Sequence, residues 1–329
     1  LNAPVIKKEK PDLRSDPVGN LRYRAGVVKA YVDGPADRRQ KMRSELLLDI
    51  AQKITPIIAV DDGDIRYLVD AADRGPITVG LVGEKTWDEP LMRRTSDLLA
   101  RLLDRPEPLK DTVFLDVGGN IGTATLCALK RFGAGRAVAF EPEPRNYKLL
   151  KLNIIANDLE HRAVPIQAAI SDQPGELVLE IAPENVGDHR IRTGDEAAGG
   201  DLGEDRRETV TVTAITLDDA LARADVAAQD VGLVWIDVQG HEPQVLAGAA
   251  NVLASGAPVL LEYWPYGLKR AGGLDTMHEQ LRAHFSEAWE VGEERDAAPP
   301  SRIDLGGLDA FAARFPHPYD STNLLLLKR

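Results

Sequence analysis

A chain of 329 residues has room for one large α/β domain with an extension, or for two modest domains. Hydrophobic residues make up 43% and charged residues 28%, an ordinary globular balance, and only 5% aromatics predicts a core of Leu, Val, Ile and Ala. The formal net charge of −12 argues against clamping bare nucleic acid, which needs clustered Lys and Arg to neutralise phosphates.

In chain order, residues 1–24 mix Pro, Lys, Asp and Gly without a period and read as an arm. The start LNAPVIKKEK has no apolar signal core, and runs such as APVLL and NLLLL fall far short of the ~20 residues of a membrane span. A cytoplasmic protein with no membrane segment is the expectation. A helix is predicted over 37–54, where Met42, Leu46, Leu47, Ile50 and Ile54 recur at three- and four-residue spacings. Short strands IIAV, IRYLV and ITVGLV follow, separated by DDG and RGP turn signals, then a helix over 94–103 that ends before RPEP. Residues 1–95 are thus expected to form an α+β extension, a cap or an oligomerisation element, with the main domain over 96–329. One cysteine, Cys127, rules out an internal disulfide and is expected to pack in the core.

From Thr112 the rhythm becomes strand, helix, strand, helix. VFLDV, AVAFE, VPIQAAI, VGLVWID and PVLLEYW are short apolar runs suited to strands buried on both faces, with helical stretches between them. This alternation predicts a doubly wound, mostly parallel sheet with right-handed crossovers. AWEVGE and NLLLLK are expected to close one edge. GELVLEIA and ETVTVTAIT form an extra strand pair, and the Gly- and acid-rich residues 183–208 between them are either a solvated loop or a lid over the ligand edge.

VFLDVGGNIGTATLCALKRF carries the first chemistry. A buried strand ends at Asp116, glycines fall at 118, 119 and 122, and a helix starts at once, so free N–H groups face any ligand there. The next strand ends at Glu141, 25 residues on (141 − 116), where a nucleoside-binding fold places an acid on the ribose hydroxyls. The spacing is DxGxxxG and not the GxGxxG of dinucleotide sites, which disfavours a nicotinamide-dependent oxidoreductase. An acid ahead of the glycines repels a pyrophosphate but suits the ammonium end of S-adenosylmethionine.

DVGGNIG, AFEPEPRNYKLLKLNI, AAISD, TLDD, WIDVQGHEPQVLAGA and PVLLEYWP, in that order, resemble the FkbM family of S-adenosylmethionine-dependent methyltransferases. The resemblance spans roughly residues 77–265. It implies the class I methyltransferase (Rossmann-like) fold and O-methylation of sugar or polyketide hydroxyls on a small molecule. It also implies a cofactor cradle of Asp116, Gly118, Gly119, Asn120, Gly122 and Glu141. Glu89 of KTWDEP is placed near the cofactor, though its spacing departs from the family's. Ala169 and Ser171 of QAAISD are expected beside the adenine. An intact glycine loop argues against a non-catalytic interaction module, and no Asn-Pro-Pro-Tyr motif for amino-group methylation is present.

WIDVQGHEP ends the fourth parallel strand, and chemistry in open α/β sheets gathers beyond those strand ends. Asp237, His241 and Glu242 are therefore the catalytic candidates, with His241 or Asp237 as the base that deprotonates the acceptor hydroxyl. Gln239 is expected to orient a neighbour or bind substrate, where many relatives carry Glu. Asp237, Glu242 and Glu262 are an alternative Mg²⁺ set. His189 in GDHRIR and Tyr263 after the fifth strand are candidate substrate contacts, Tyr263 either stacking on a sugar face or packing in the core.

Overall fold

The computed structural model describes residues 36–183, 185–193, 202–292 and 298–328. The arm expected over 1–24 lies outside these residues. The predicted first helix is α1 (Ala36–Ala51), followed by the antiparallel hairpin β1 (Ile57–Asp62) and β2 (Ile65–Asp70). ITVGLV is not a strand. It lies in helix α2 (Pro76–Glu84), with Pro76 in the first turn, where its fixed φ favours a helix. Packing selects the helix against the β-branched residues. Gly80 and Gly83, three apart on one helix face, receive Trp87 and α1 so closely that a Cβ at either would meet Trp87 at 2.7 Å or Ser44 at 2.6 Å. The second predicted helix starts earlier than expected, as α3 (Glu89–Leu103).

The main sheet is doubly wound as expected. It is built from β3 (Val113–Val117), α4 (Thr123–Arg131), β4 (Arg136–Phe140), α5 (Pro144–Ala156) and β5 (Ala163–Ile166). VPIQAAI does not stay one strand: after β5 the chain crosses to β6 (Ala169–Ile170), which opens a second sheet with β7 (Gly175–Ile181), β8 (Arg190–Ile191) and β9 (Glu208–Ile215). The antiparallel pairing of β7 with β9 is the predicted extra pair. The chain returns through α6 (Leu217–Arg223) to β10 (Val231–Ile236), α7 (Glu242–Ala247), α8 (Ala250–Ser255) and β11 (Val259–Tyr263). It ends with α9 (Pro265–Arg270), α10 (Leu274–His284), β12 (Glu287–Glu290), β13 (Ser301–Ile303), α11 (Leu308–Ala312) and β14 (Thr322–Leu327).

Among the described residues the main sheet runs β13-β12-β14-β11-β10-β3-β4-β5. β14 pairs antiparallel with both β11 and β12, so the expected closing pair is present with β13 added outside it. Alternate residues of β3 feed opposite faces: Val113, Leu115 and Val117 join one core, Phe114 the other. Ile65, Tyr67, Leu81 and Leu91 pack into that second core beside α4. Strand order reverses between β3 and β10, and at such a switch point the two loops diverge and leave a crevice beyond the strand ends. Gly118 follows β3 and Asp237 follows β10. They lie so close that a Cβ on Gly118 would stand 1.9 Å from the Asp237 carbonyl oxygen, and Gly118 has φ +91°. Only glycine satisfies both conditions.

Candidate active site

A cleft of about 550 Å³ opens at this switch point. One end is apolar, with Phe140, Ala168, Ala169 and Ile170. The other holds Gly118, Asn120, Asp237 and Gln239, with Glu141 between. Glu141 comes from the end of β4, and its Oε2 accepts the Asn120 N–H at 2.9 Å while Oε1 accepts the Glu143 N–H at 2.7 Å. Glu143 in turn caps α5 by accepting the Arg145 and Asn146 N–H groups, both at 2.7 Å. The roof is the strap between β7 and β9. Val186, Gly187, His189 and Ile191 line the cleft, and the Val186 carbonyl accepts Nδ2–H bonds from Asn120 at 3.0 Å and Asn146 at 2.8 Å. His189 accepts the Ala182 N–H at Nδ1 (3.1 Å), and burial holds it down at about 4, so it is a neutral pin for the strap.

Four of the expected cradle residues line this cleft: Gly118, Asn120, Glu141 and Ala169. The others are turned elsewhere for identifiable reasons. Asp116 is buried and faces α4, its Oδ2 accepting Thr125 Oγ1 at 2.5 Å and the Thr125 N–H at 3.1 Å, so it braces the glycine loop instead of meeting an ammonium. Burial pushes its pKa up to about 6. Gly119 backs onto that carboxyl, and Gly122 packs on Leu150, where a Cβ would come within 2.7 Å. Ser171 bonds His241 behind the lining. Glu89 is misplaced in the expectation: it pairs with Arg93 and Arg131, and Arg131 is the last residue of α4, nine positions (131 − 122) and ~13 Å of helix from Gly122.

Desolvation pushes Glu141 up from 4.5 to about 8, with the Glu143 and Asp116 carboxyls adding to the rise and two backbone N–H groups opposing it. A folded pKa above the unfolded one means that the folded state holds the extra proton between about 4.5 and 8. This contribution to stability is present below that window and is lost as pH rises through it, by up to about 1.4 kcal/mol per pH unit. Above about pH 6.5, where the lowered His189 and His241 no longer add stability with rising pH, the ligand-free protein is therefore expected to melt at progressively lower temperature up to pH 8. Glu141→Gln should flatten that slope in a thermal scan across pH, and an unchanged slope would count against the assignment.

Around WIDVQGHEP the structure separates residues the sequence leaves together. Gln239, in the left-handed region at φ +56°, donates Nε2–H bonds to Asp237 Oδ1 at 2.7 Å and Glu262 Oε2 at 2.8 Å. Gln239 thus holds the Asp237 and Glu262 carboxyls next to one another, in hydrogen-bonding contact. Desolvation raises Asp237, with the Gln239 amide and the Glu262 bond opposing; its side chain reaches solvent through the pocket mouth, so only part of the burial cost applies. Glu242 is not in this group. It is fully buried at the start of α7, and its Oε1 accepts the Val238 and Gly240 N–H groups, both at 3.2 Å. Burial raises it to about 7. It holds the turn. The Mg²⁺ set therefore does not assemble: Glu242 points away, the Gln239 amide donor ties Asp237 to Glu262, and no metal-capable group of His, Cys, Asp or Glu occurs among the described residues.

His241 lines the 550 Å³ cleft, near its Ala169–Ile170 end. Ser171 Oγ donates to Asp172 Oδ1 at 3.0 Å, so at its 3.0 Å contact with His241 it accepts from Nε2–H. Burial lowers the ring to about 4, which leaves it neutral with Nδ1 unprotonated and unpartnered.

A second cleft, of about 830 Å³, meets the first at Asp237, Gln239 and Gly187. Its walls include Trp87, Trp264, Tyr319 and Glu262, but not His241 or Tyr263. Tyr263 is core. It is fully buried, packs tilted against Phe311 and donates to or accepts from His278 Nε2 at 2.7 Å. Its neighbour Trp264 faces the cleft because successive residues of a strand end point to opposite sides. Trp87, Asp188 and Tyr319 are lining residues that sequence reasoning missed. Trp87 gave a signal in KTWDEP, whereas Tyr319 lies in an irregular loop with none. Asp188 and Arg190 carry the strap between the two clefts. Arg190, 2% exposed, bonds Asp188 and Glu204 (2.6 Å) and lies 4.5 Å over the Trp264 ring. Arg207 also binds Asp188, and Tyr266 donates to Glu204 at 3.0 Å.

A sequence profile described as "Methyltransferase FkbM domain" matches residues 116–290, which is 175 of the 329 residues (290 − 116 + 1). The chain belongs to the FkbM methyltransferase family. It is an S-adenosylmethionine-dependent methyltransferase with the α/β sheet described above. Among relatives, this FkbM-family chain is 30% identical over 210 residues to "Hexuronic acid methyltransferase AglP" of Haloferax volcanii, covering 62% of this chain and 78% of that one. It is 27% identical over 191 residues to "2-O-methyltransferase NoeI" of Sinorhizobium fredii, covering 53% and 73%. Among solved structures, "Methyltransferase FkbM" from Methylobacillus flagellatus KT superposes with a TM-score of 0.40 at 12% identity, covering 88% of this chain and 60% of that one, too distant to carry an argument. The first cleft fits the family's cofactor. It pairs an apolar end suited to a purine with a polar end, and Asn120 Oδ1 is buried there with no partner. Among the described residues no helix is long and apolar enough to cross a membrane.

Proposed function

We propose that this enzyme methylates a hydroxyl of a small molecule, a sugar, glycoside or polyketide-type compound, with Asp237 as the base. The observation that carries this reading is the meeting of the two clefts at Asp237 and Gln239. In the first cleft, Gly118, Asn120, Glu141 and Ala169 would hold S-adenosylmethionine, which supplies an electrophilic methyl on a sulfonium. In the second, Trp87 and Tyr319 offer apolar surface to a sugar ring or macrocycle, and the Asp237–Glu262 pair accepts hydroxyl hydrogens. Asp237 takes the hydroxyl proton as the oxygen becomes nucleophilic, and Gln239 holds that carboxyl in place. His241 sits on the cofactor side alone and does not face the acceptor. Alignment across the two clefts supplies the larger share of the acceleration, on the order of 7–11 kcal/mol.

NoeI, a 2-O-methyltransferase, supports transfer to oxygen, and AglP, a hexuronic acid methyltransferase, supports a sugar-type acceptor. The test is incubation with methyl-labelled S-adenosylmethionine and a panel of neutral glycosides, uronates and polyketide alcohols, with mass spectrometry locating the label. Label on a hydroxyl oxygen is expected; label on a carboxylate, nitrogen or carbon would overturn the assignment.

A further inference from the structure

We propose that the cleft between α1 and α2 is a second acceptor subsite, which binds an anionic group, a phosphate or carboxylate, carried by the molecule whose hydroxyl meets Asp237. This rests on the hydroxyl-transfer reading above. The cleft, about 1,110 Å³, is lined by Arg38, Lys41 and Arg74, with the Gln40 amide as a neutral donor and Glu84 as its acid. It shares Pro76 and Trp87 with the acceptor cleft, so the two open on either side of one indole.

The chemistry of the two clefts is opposite in sign. The acceptor cleft presents Asp188, Asp237 and Glu262 against Arg190, and Arg190 is already bound to Asp188 and Glu204. An anion beside Asp237 would meet carboxyls, whereas in the cleft beyond Trp87 it would meet Arg38 and Lys41, with Arg74, which also pairs with Asp49, beside them. Arg38 and Lys41 are three residues apart and so share a face of α1. Arg74 has its guanidinium aimed by the Ala71 and Asp73 carbonyls, each at 2.9 Å, and by Asp49 at 3.0 Å. Such a fixed guanidinium favours planar or tetrahedral oxyanions over a diffuse charge. Gly80 and Gly83 let Trp87 and α1 seat tightly on α2, which shapes the cleft wall; no part of the methyl-transfer chemistry requires that fit. The N-terminal extension then has a role in substrate choice.

The probe is inorganic pyrophosphate, titrated by calorimetry into the full chain saturated with S-adenosylhomocysteine. Binding is expected, weakening with added KCl and at least about tenfold in Arg38→Glu/Lys41→Glu, since one charge-assisted contact is worth about tenfold. Unchanged S-adenosylhomocysteine affinity in that variant reports that it is folded. Methyl transfer is then compared between hexose 1-phosphates and the matching methyl hexosides, with a lower KM expected for the phosphates and the difference lost in the variant. Pyrophosphate binding that ignores the double substitution, or no KM difference, overturns the subsite. Charge-dependent pyrophosphate binding with no oxygen methylated in any panel member would instead overturn the hydroxyl-transfer reading.

Discussion

Asp237→Asn is expected to lower kcat by about 10²–10⁴-fold while leaving cofactor affinity within a few-fold, because a general base contributes on that scale and the amide is isosteric. The substitution keeps an acceptor for the Gln239 Nε2–H at 2.7 Å, so the loop should hold its shape. Single-turnover kinetics with methyl-labelled cofactor, beside calorimetric binding of S-adenosylhomocysteine, separates the two effects. Glu242→Gln provides the contrast. The Glu242 Oε1 accepts only backbone N–H groups, which the amide oxygen can still accept, so turnover should stay within a few-fold of wild type. Equal losses from both substitutions would contradict Asp237 as the base.

The second large effect concerns the strap. Arg190→Ala removes a buried guanidinium from between Asp188 and Glu204 and from the Trp264 face. Asp188 keeps Arg207, but Glu204 stays fully buried with Tyr266 in place of a close cation, and breaking a buried pair on one side typically costs about 3–5 kcal/mol, so a loss toward the lower end is expected. A fall of several degrees in melting temperature is expected, together with weaker cofactor binding, since the strap supplies Val186, Gly187, His189 and Ile191 to the cofactor cleft. Arg190→Lys should recover little, because a point charge replaces a fork that serves two carboxylates and a ring at once. Full stability in Arg190→Ala, measured by thermal melting, would show that the network carries no such weight.

The parallel strands were legible because strands buried on both faces read as continuous apolar runs, and the helices between them follow a 3.6-residue period. The glycine loop was legible because Gly118 must adopt φ +91° against the Asp237 carbonyl, a local demand that leaves a glycine in the sequence. ITVGLV misled because β-branched residues signal a strand, whereas its glycines answer a helix and an indole that arrive from elsewhere in the chain. β13 was missed because three residues carry too little pattern to register.

For the candidate site, residue type and position along the chain picked out Gly118, Asn120, Glu141, Asp237, Gln239 and Glu262, which line the two clefts. They did not say which acids open to a ligand. Asp116 and Glu242 are as acidic in sequence as Asp237, yet one faces Thr125 and the other its own turn. Tyr263 and Trp264 are adjacent aromatics, and strand geometry sends one to the core and the other to the cleft. Periodicity and turn chemistry are local, so the sequence alone determined the sheet, the glycine loop and the family. Which side chains meet across elements far apart in the chain, Glu89 with Arg131 or Gln239 with Glu262, was decided only by the tertiary structure, because each contact depends on how two distant elements pack.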